Sequence, residues 1–352
     1  GKLLTQYELA VEKAKRTDKS SQSEERLPEK AGGWQVLRTI GDHKNTINKC
    51  TANPGWSWVI STGNEKDLKV CDITNGEELH TLRGHTGPVN ACAVSANGAW
   101  MVSASEDKTL MVWDAVSGEE LRALVGHTGP VWDCAITLDG HSIVSASGDN
   151  TLKVWDATSG KELRTLRGHT ESVFACAVSP DSRWTVSASK DKTLKIWELA
   201  SGKELHTLRG HNGWVKACAI SPDSTWIVSA SSDQTLRMWD ADSGQELHTL
   251  AGHTAWVMGC AVSPDGKWIT SASSDKTLKV WEADSGRERI TIPLQSELSC
   301  ICLHHWQPKA VCGGKTGELF ILDLGDIPYG PIFVTAGWKK RWLKQVLTIR
   351  CP

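Results

Sequence analysis

A histidine, a serine, an aspartate and a tryptophan return in register along the chain. In the clearest copy they are His169, Ser187 or Ser189, Asp191 and Trp197. Equivalent members are His85, Asp107 and Trp113; His127, Asp149 and Trp155; His211, Asp233 and Trp239; and His253, Asp275 and Trp281. A serine beside a histidine beside an aspartate is the equipment of nucleophilic catalysis, in which the imidazole takes the hydroxyl proton and the carboxylate orients the imidazole. An enzyme needs one exposed nucleophile beside an oxyanion site, not five copies each tied to a tryptophan. The repetition therefore points to structure, and no residue is assigned a catalytic role. Cys300, Cys302, His304, His305 and Cys312 have the chemistry of zinc ligands. They alternate along a strand at irregular spacing, so no metal site is expected. The pair Cys351-Pro352 has the form that opens a Cys-Pro-x-x-Cys knuckle. No glycine-rich phosphate loop and no unique pair of acids emerges, and no cofactor is expected.

The elements that must position these residues repeat with them. The histidine of a Gly-His pair stands at 85, 127, 169, 211 and 253, with His43 in a Gly-Asp-His variant, so every step is 42 residues. A Trp-acid pair keeps the same step from Trp113-Asp114 to Trp281-Glu282, with Cys71-Asp72 as a degenerate first copy. A period of this length belongs to solenoids and propellers. Each unit holds four short apolar runs divided by turn residues; in the third they are 131–136, 142–147, 151–156 and 162–166. Units begin as 46–82, 88–124, 130–166, 172–208, 214–250 and 256–292, and a weaker seventh has runs at 298–303, 309–312 and 318–324. The run 34–40 aligns with the fourth strand of the units, because Leu79 stands 42 residues after Leu37. It is expected to pair with the last unit and remove the free sheet edges. The run 331–336 is a rival for that place, or a fifth strand beside it.

This grammar resembles the WD-repeat β-propeller family of bacterial type, with near-identical repeats, over about residues 34–324. The resemblance implies an all-β, seven-bladed propeller of four-stranded antiparallel blades. It also implies that each His, Ser, Asp and Trp form one hydrogen-bonded set, with the hydroxyl linking the imidazole to the indole. Such sets let polar groups sit inside a blade, at about 0.5–1.5 kcal/mol net per bond. The first unit departs from the pattern with Glu65 and Cys71, so its set is expected to be incomplete. A second tryptophan series, Trp58, Trp100, Trp184, Trp226 and Trp268, opens the second strand of five units and reads as packing near one rim.

Function is sought where the copies disagree, because a position that varies within a copied unit is not needed by the fold. The slots flanking the valine of the first strand read Thr46 and Asn48, Pro88 and Asn90, Pro130 and Trp132, Ser172 and Phe174, Trp214 and Lys216, Trp256 and Met258. A third slot, before the turn carboxylate, reads Asn64, Glu106, Gly148, Lys190, Ser232 and Ser274. In the resembling family these slots face the upper opening of the central channel. Trp132, Phe174, Trp214, Trp256 and Met258, with Lys190 and Lys216 among them, are the expected partner-binding residues, aromatic anchors rimmed by charge.

Composition narrows the rest. The 352 residues carry a net charge of −2, which gives no bulk attraction to nucleic acid or an anionic membrane, and neither is expected as a partner. Six of eleven cysteines, Cys50, Cys92, Cys134, Cys176, Cys218 and Cys260, follow the 42-residue step and read as packed thiols in a reducing compartment, hence a cytoplasmic location. Residues 1–33 read as a helical remnant and linker, 34–337 as the propeller and 338–352 as a basic aromatic tail. The chain starts with Gly, which reads as a fragment or a tag remnant. The expectation is a monomeric, non-enzymatic scaffold or sensor domain that binds a protein or peptide on its upper face, as part of a larger signalling protein. The alternatives are nucleic-acid or membrane contact through Lys339, Lys340, Arg341 and Lys344 with Trp338 and Trp342, or an enzyme that uses the channel.

Overall fold

The computed structural model describes residues 33–41, 43–305, 307–325 and 327. The expected helical remnant, the rival closing run 331–336 and the basic tail lie outside these. Among the described residues the chain forms seven four-stranded antiparallel sheets, the blades of an all-β propeller. Blade one covers residues 47–82, followed by 89–125, 131–167, 173–209, 215–251 and 257–293. Blade seven combines Leu298–Leu303, Lys309–Gly314 and Glu318–Asp323 with the strand Gln35–Gly41 from the start of the chain. That strand runs antiparallel to Glu318–Asp323, from Gln35 opposite Asp323 to Gly41 opposite Glu318. The ring is closed by main-chain hydrogen bonds between the two ends of the array, and Gln35–Gly41 takes the outer place that the fourth strand holds in the other blades.

Burial is high in the second strand of each blade and least in the outermost. In the second strand Trp184–Ser189 every residue after the tryptophan is buried, because both faces of the blade are covered by neighbouring blades. In the outermost strand Glu162–Arg167 only Leu166 is fully buried. The cores lie between blades. Val102, Leu110 and Leu124 of blade two meet Val131, Ile143 and Trp155 of blade three in one cluster, and Trp155 is 1% exposed. A ring of that size removes on the order of 150–250 Å² from water. Of the second tryptophan series, Trp100, Trp184 and Trp226 pack against such clusters from the rim.

Close packing between blades also explains a turn residue. Gly160, between the third and fourth strands of blade three, has φ of 73°, and a Cβ there would stand 3.1 Å from Leu124 of blade two. Glycine meets both the left-handed backbone and the close approach. The six periodic cysteines are free thiols, and each points back to a main-chain carbonyl of the preceding blade, as Cys176 does to Val144 at 3.6 Å.

Removing residues 1–41, compared with removing residues 1–32, is expected to lower Tm by about 10 °C or more and to add higher oligomers. Calorimetry and light scattering would read both, and identical behaviour of the two truncations would contradict closure by this strand.

Candidate functional site

The repeated polar sets come first, because they decide which residues are left for function. His169 Nδ1 lies 2.7 Å from Asp191, and His169 Nε2 lies 2.7 Å from Ser187 Oγ. Trp197 donates its indole N–H to the same Ser187 at 2.8 Å. Ser189 does other work: its hydroxyl reaches the Glu171 and Ser172 carbonyls and accepts from the Asp191 N–H. Blades two, three, five and six repeat this geometry on Ser103, Ser145, Ser229 and Ser271. An ionised carboxylate only accepts, so Nδ1 carries the proton, Nε2 accepts from the serine, and the serine accepts from the indole. The polarity is that of a hydrolase, but Ser187 is 0% exposed and its lone pair is taken by the indole. In blade one Glu65 fills the carboxylate's place, 2.8 Å from His43, and Ser61 lies 2.8 Å from the other ring nitrogen. With Cys71 in the tryptophan position, the set lacks only its indole end.

These sets carry a pH signature. Burial works to raise the Asp107 carboxyl, but the Thr109 hydroxyl, the Thr86 N–H and His85 outweigh it and hold the group at about 2. Asp275 is held at about 2 in the same way, and Asp149, Asp191 and Asp233 also sit well below the carboxylate range. Burial lowers His85 and His253 below their usual 6.5, and the aspartates restore only part of it. Both kinds of group bind protons less readily when folded. Stability is therefore expected to be full above 6.5, to decline as imidazoles gain protons, and to fall more steeply from 3.8 towards 2. Urea melts at stepped pH would show this, and a flat profile from pH 7 to 3 would contradict it.

The first strand of every blade has the same irregularity. Its ladder slips between the opening residue and the one two further on, as from Val131 to Asp133 and from Val215 to Ala217. The residue between is a bulge, released from pairing and re-aimed. The bulge residues Asn48, Asn90, Trp132, Phe174, Lys216, Met258 and Ser299 all line one cavity of about 110 Å³ in the channel. On one side of its mouth the rings form an unbroken row: Trp132 to Phe174 at 6.1 Å, Phe174 to Trp214 at 6.2 Å, and Trp214 to Trp256 at 6.1 Å. Trp214 and Trp256 are 36% and 47% exposed and face solvent, whereas Trp132 and Phe174 are half-buried.

Lys216 stands at the centre of the row. Its Nζ lies 4.2 Å from the Phe174 ring centre, 4.7 Å from Trp214 and 5.7 Å from Trp256. Burial, and then the charge of Lys190, lower it from 10.5 to about 8. Lys190 sits 5.4 Å from the Trp214 ring and is already paired with Glu171 at 3.1 Å. No carboxylate among the described residues pairs with Lys216, and the buried Trp132 indole N–H has no partner among them either.

One slot deeper, the channel wall reads Lys49, Ala91, Asp133, Ala175, Ala217, Gly259 and Cys300, a ring that sequence reasoning passed over. Lys49 reaches across blade two to Asp133 at 3.2 Å, and Asp133 also accepts the Cys176 N–H at 3.1 Å. The signal was available, since Lys, Asp and Cys interrupt a slot otherwise filled by Ala and Gly. The Cys and His residues of blade seven are dispersed. Cys300 packs towards blade one, Cys312 towards blade six, and His304 lies 4.6 Å from Trp56. Among the described residues no three His, Cys, Asp or Glu side chains group as metal ligands.

Five stretches, residues 76–114, 118–156, 160–198, 202–240 and 244–282, match the family model described as WD domain, G-beta repeat, and together they take in more than half of the chain. No curated protein matches the chain. Each matched stretch holds the fourth strand of one blade and the first three of the next, so the sequence repeat is offset from the blade.

Proposed function

The chain belongs to the WD domain, G-beta repeat family, whose propellers commonly mediate protein interactions, and on that premise we propose that it is a non-enzymatic scaffold or sensor that captures a protein or peptide at the upper mouth of its channel. The binding surface is the aromatic row on blades three to six with Lys216 at its centre and Met258 below it. The observation that carries this reading is the unpaired, ring-enclosed ammonium of Lys216 beside exposed tryptophans. Aromatic anchors at the centre of an interface each account for about 2 kcal/mol or more when truncated. A half-desolvated ammonium with no anion of its own suits a carboxylate from the partner, so the recognised segment carries an acidic side chain beside an apolar one. We read the array as the sensor end of a larger cytoplasmic signalling protein of bacterial type, acting as a monomer.

The test is a pull-down from source-cell lysate with the wild-type chain and a folded Trp132→Ala, Trp214→Ala, Trp256→Ala variant. A partner retained by the first and lost by the second is expected; full retention by the variant would overturn the placement. For that partner, affinity is expected to fall as pH rises through 8, where Lys216 gives up its charge. The single variant Lys216→Met should abolish this pH dependence, and titration calorimetry at pH 7 and 9 would read both.

A further inference from the structure

We propose that Cys50 and Cys300 form an oxidation site in the channel wall, which takes hydrogen peroxide and joins blades one and seven by a disulfide. The argument begins with the six periodic cysteines, each of which packs against the blade before it. Cys92, Cys134, Cys176, Cys218 and Cys260 reach the carbonyls of Ile60, Val102, Val144, Val186 and Val228. Cys50 makes the same contact with Val311 of blade seven at 3.5 Å. In the preceding blade the neighbouring wall slot holds Lys49, Ala91, Asp133, Ala175 or Ala217 for the other five thiols. For Cys50 alone that slot holds a cysteine, and the two sulfurs lie 3.4 Å apart.

The surroundings fit the pair. Gly313 lies opposite Cys300 in the ladder, where blades two to six carry Ala104, Ala146, Ala188, Ala230 and Ala272. A Cβ on Gly313 would stand 2.7 Å from the Cys300 sulfur and 2.6 Å from Ile47, so the missing methyl makes room for the thiol. Cys300 lines the channel cavity together with Lys49, while Cys50 sits behind it at 1% exposure. A small oxidant entering the channel thus meets Cys300 first. The contact with Cys50, the Gly313 main chain and the Lys49 charge together lower the Cys300 thiol and favour a thiolate there, whereas Cys50 is pushed up by the same contact and by burial. Thiolate character is what makes a cysteine reactive to peroxide.

In the first step the Cys300 thiolate attacks one peroxide oxygen, an S–O bond forms, the O–O bond breaks, and the departing hydroxide leaves as water with a solvent proton. In the second, the Cys50 sulfur displaces hydroxide from the Cys300 sulfenic acid, and that hydroxide takes the Cys50 proton. Two thiols and one peroxide become one disulfide and two waters. The sulfurs must close from 3.4 Å to about 2.05 Å. The bond would link residues 250 apart across the seam between the first and last blades.

The intact protein would be treated with equimolar hydrogen peroxide, alkylated with N-ethylmaleimide in denaturant, digested without reduction and mapped by mass spectrometry. A Cys50–Cys300 peptide is expected, forming about tenfold faster than oxidation of Cys92 to Cys260, with a higher Tm that dithiothreitol reverses. In Cys50→Ala, Cys300 should stop at the sulfenic acid and be labelled by dimedone; Cys300→Ala, which installs the alanine found in that slot of other blades, should leave Cys50 unoxidised. Quantitative alkylation of both thiols after peroxide, or a Cys50→Ala protein that dimedone does not label, would overturn the proposal.

Discussion

A four-stranded sheet that is apolar on both faces has no stable existence alone: each face must be covered, and each outer edge leaves main-chain donors and acceptors unpaired. Arranging the sheets in a ring covers the faces, and the cores here lie between blades rather than within them. Completing blade seven with the strand Gln35–Gly41 ties the two ends of the ring together. The offset between sequence repeat and blade makes this possible, since each repeat contributes its first strand to the blade before it. The cluster between blades seven and one, Ile47 and Cys50 against Cys300 and Val311, lies at this closure.

Within that frame the polar sets let a loop be held to a blade without an orphaned buried donor. In blades two to six each histidine of the sets is satisfied at both nitrogens, one by a carboxylate and one by a serine that also receives an indole N–H, as with His169. The cost of burying an imidazole falls as its partners are fixed in place, which is why the sets survive nearly unchanged from blade to blade. Blade one keeps the carboxylate end through Glu65, although aspartate holds that place in blades two to six. Repetition of a catalytic-looking constellation is thus a property of the scaffold.

What differs between blades is concentrated at the bulge and at the wall slot beneath it. A bulge removes one residue from the ladder and frees its side chain to point where the fold makes no demand. Asparagines fill this place in blades one and two, where Asn48 and Asn90 bond to the next blade's main chain. Blades three to six place two rings, a lysine and a methionine there instead, and the channel mouth becomes polar on one side and aromatic on the other. Lys49 and Asp133 answer each other across blade two, so these wall charges are paired with each other while Lys216 is not.

The sequence by itself determined the period, the blade count and the strands, because each depends on a pattern that recurs within one 42-residue unit. Between the run 34–40 and its rival 331–336 it left the closing place open, and the ladder from Gln35 to Gly41 is what fills the place beside Glu318–Asp323. The runs at 131–136, 142–147 and 151–156 coincide with the observed strands, and the fourth extends one residue further, to Arg167. The slots at the channel mouth were legible too, as the places where copies disagree. Between the two serines of each set the sequence held no distinction, since both lie on the same face of one strand two residues apart; only the point along the strand that the imidazole and the indole reach decided it. The row of rings, the position of Lys216 over three of them, the Lys49–Asp133 pair and the meeting of Cys50 with Cys300 were decided by tertiary structure alone. Apart from Trp214 beside Lys216, their partners lie one or more copies apart, and contact between copies is set by the curvature of the ring and the number of blades, which no single repeat encodes.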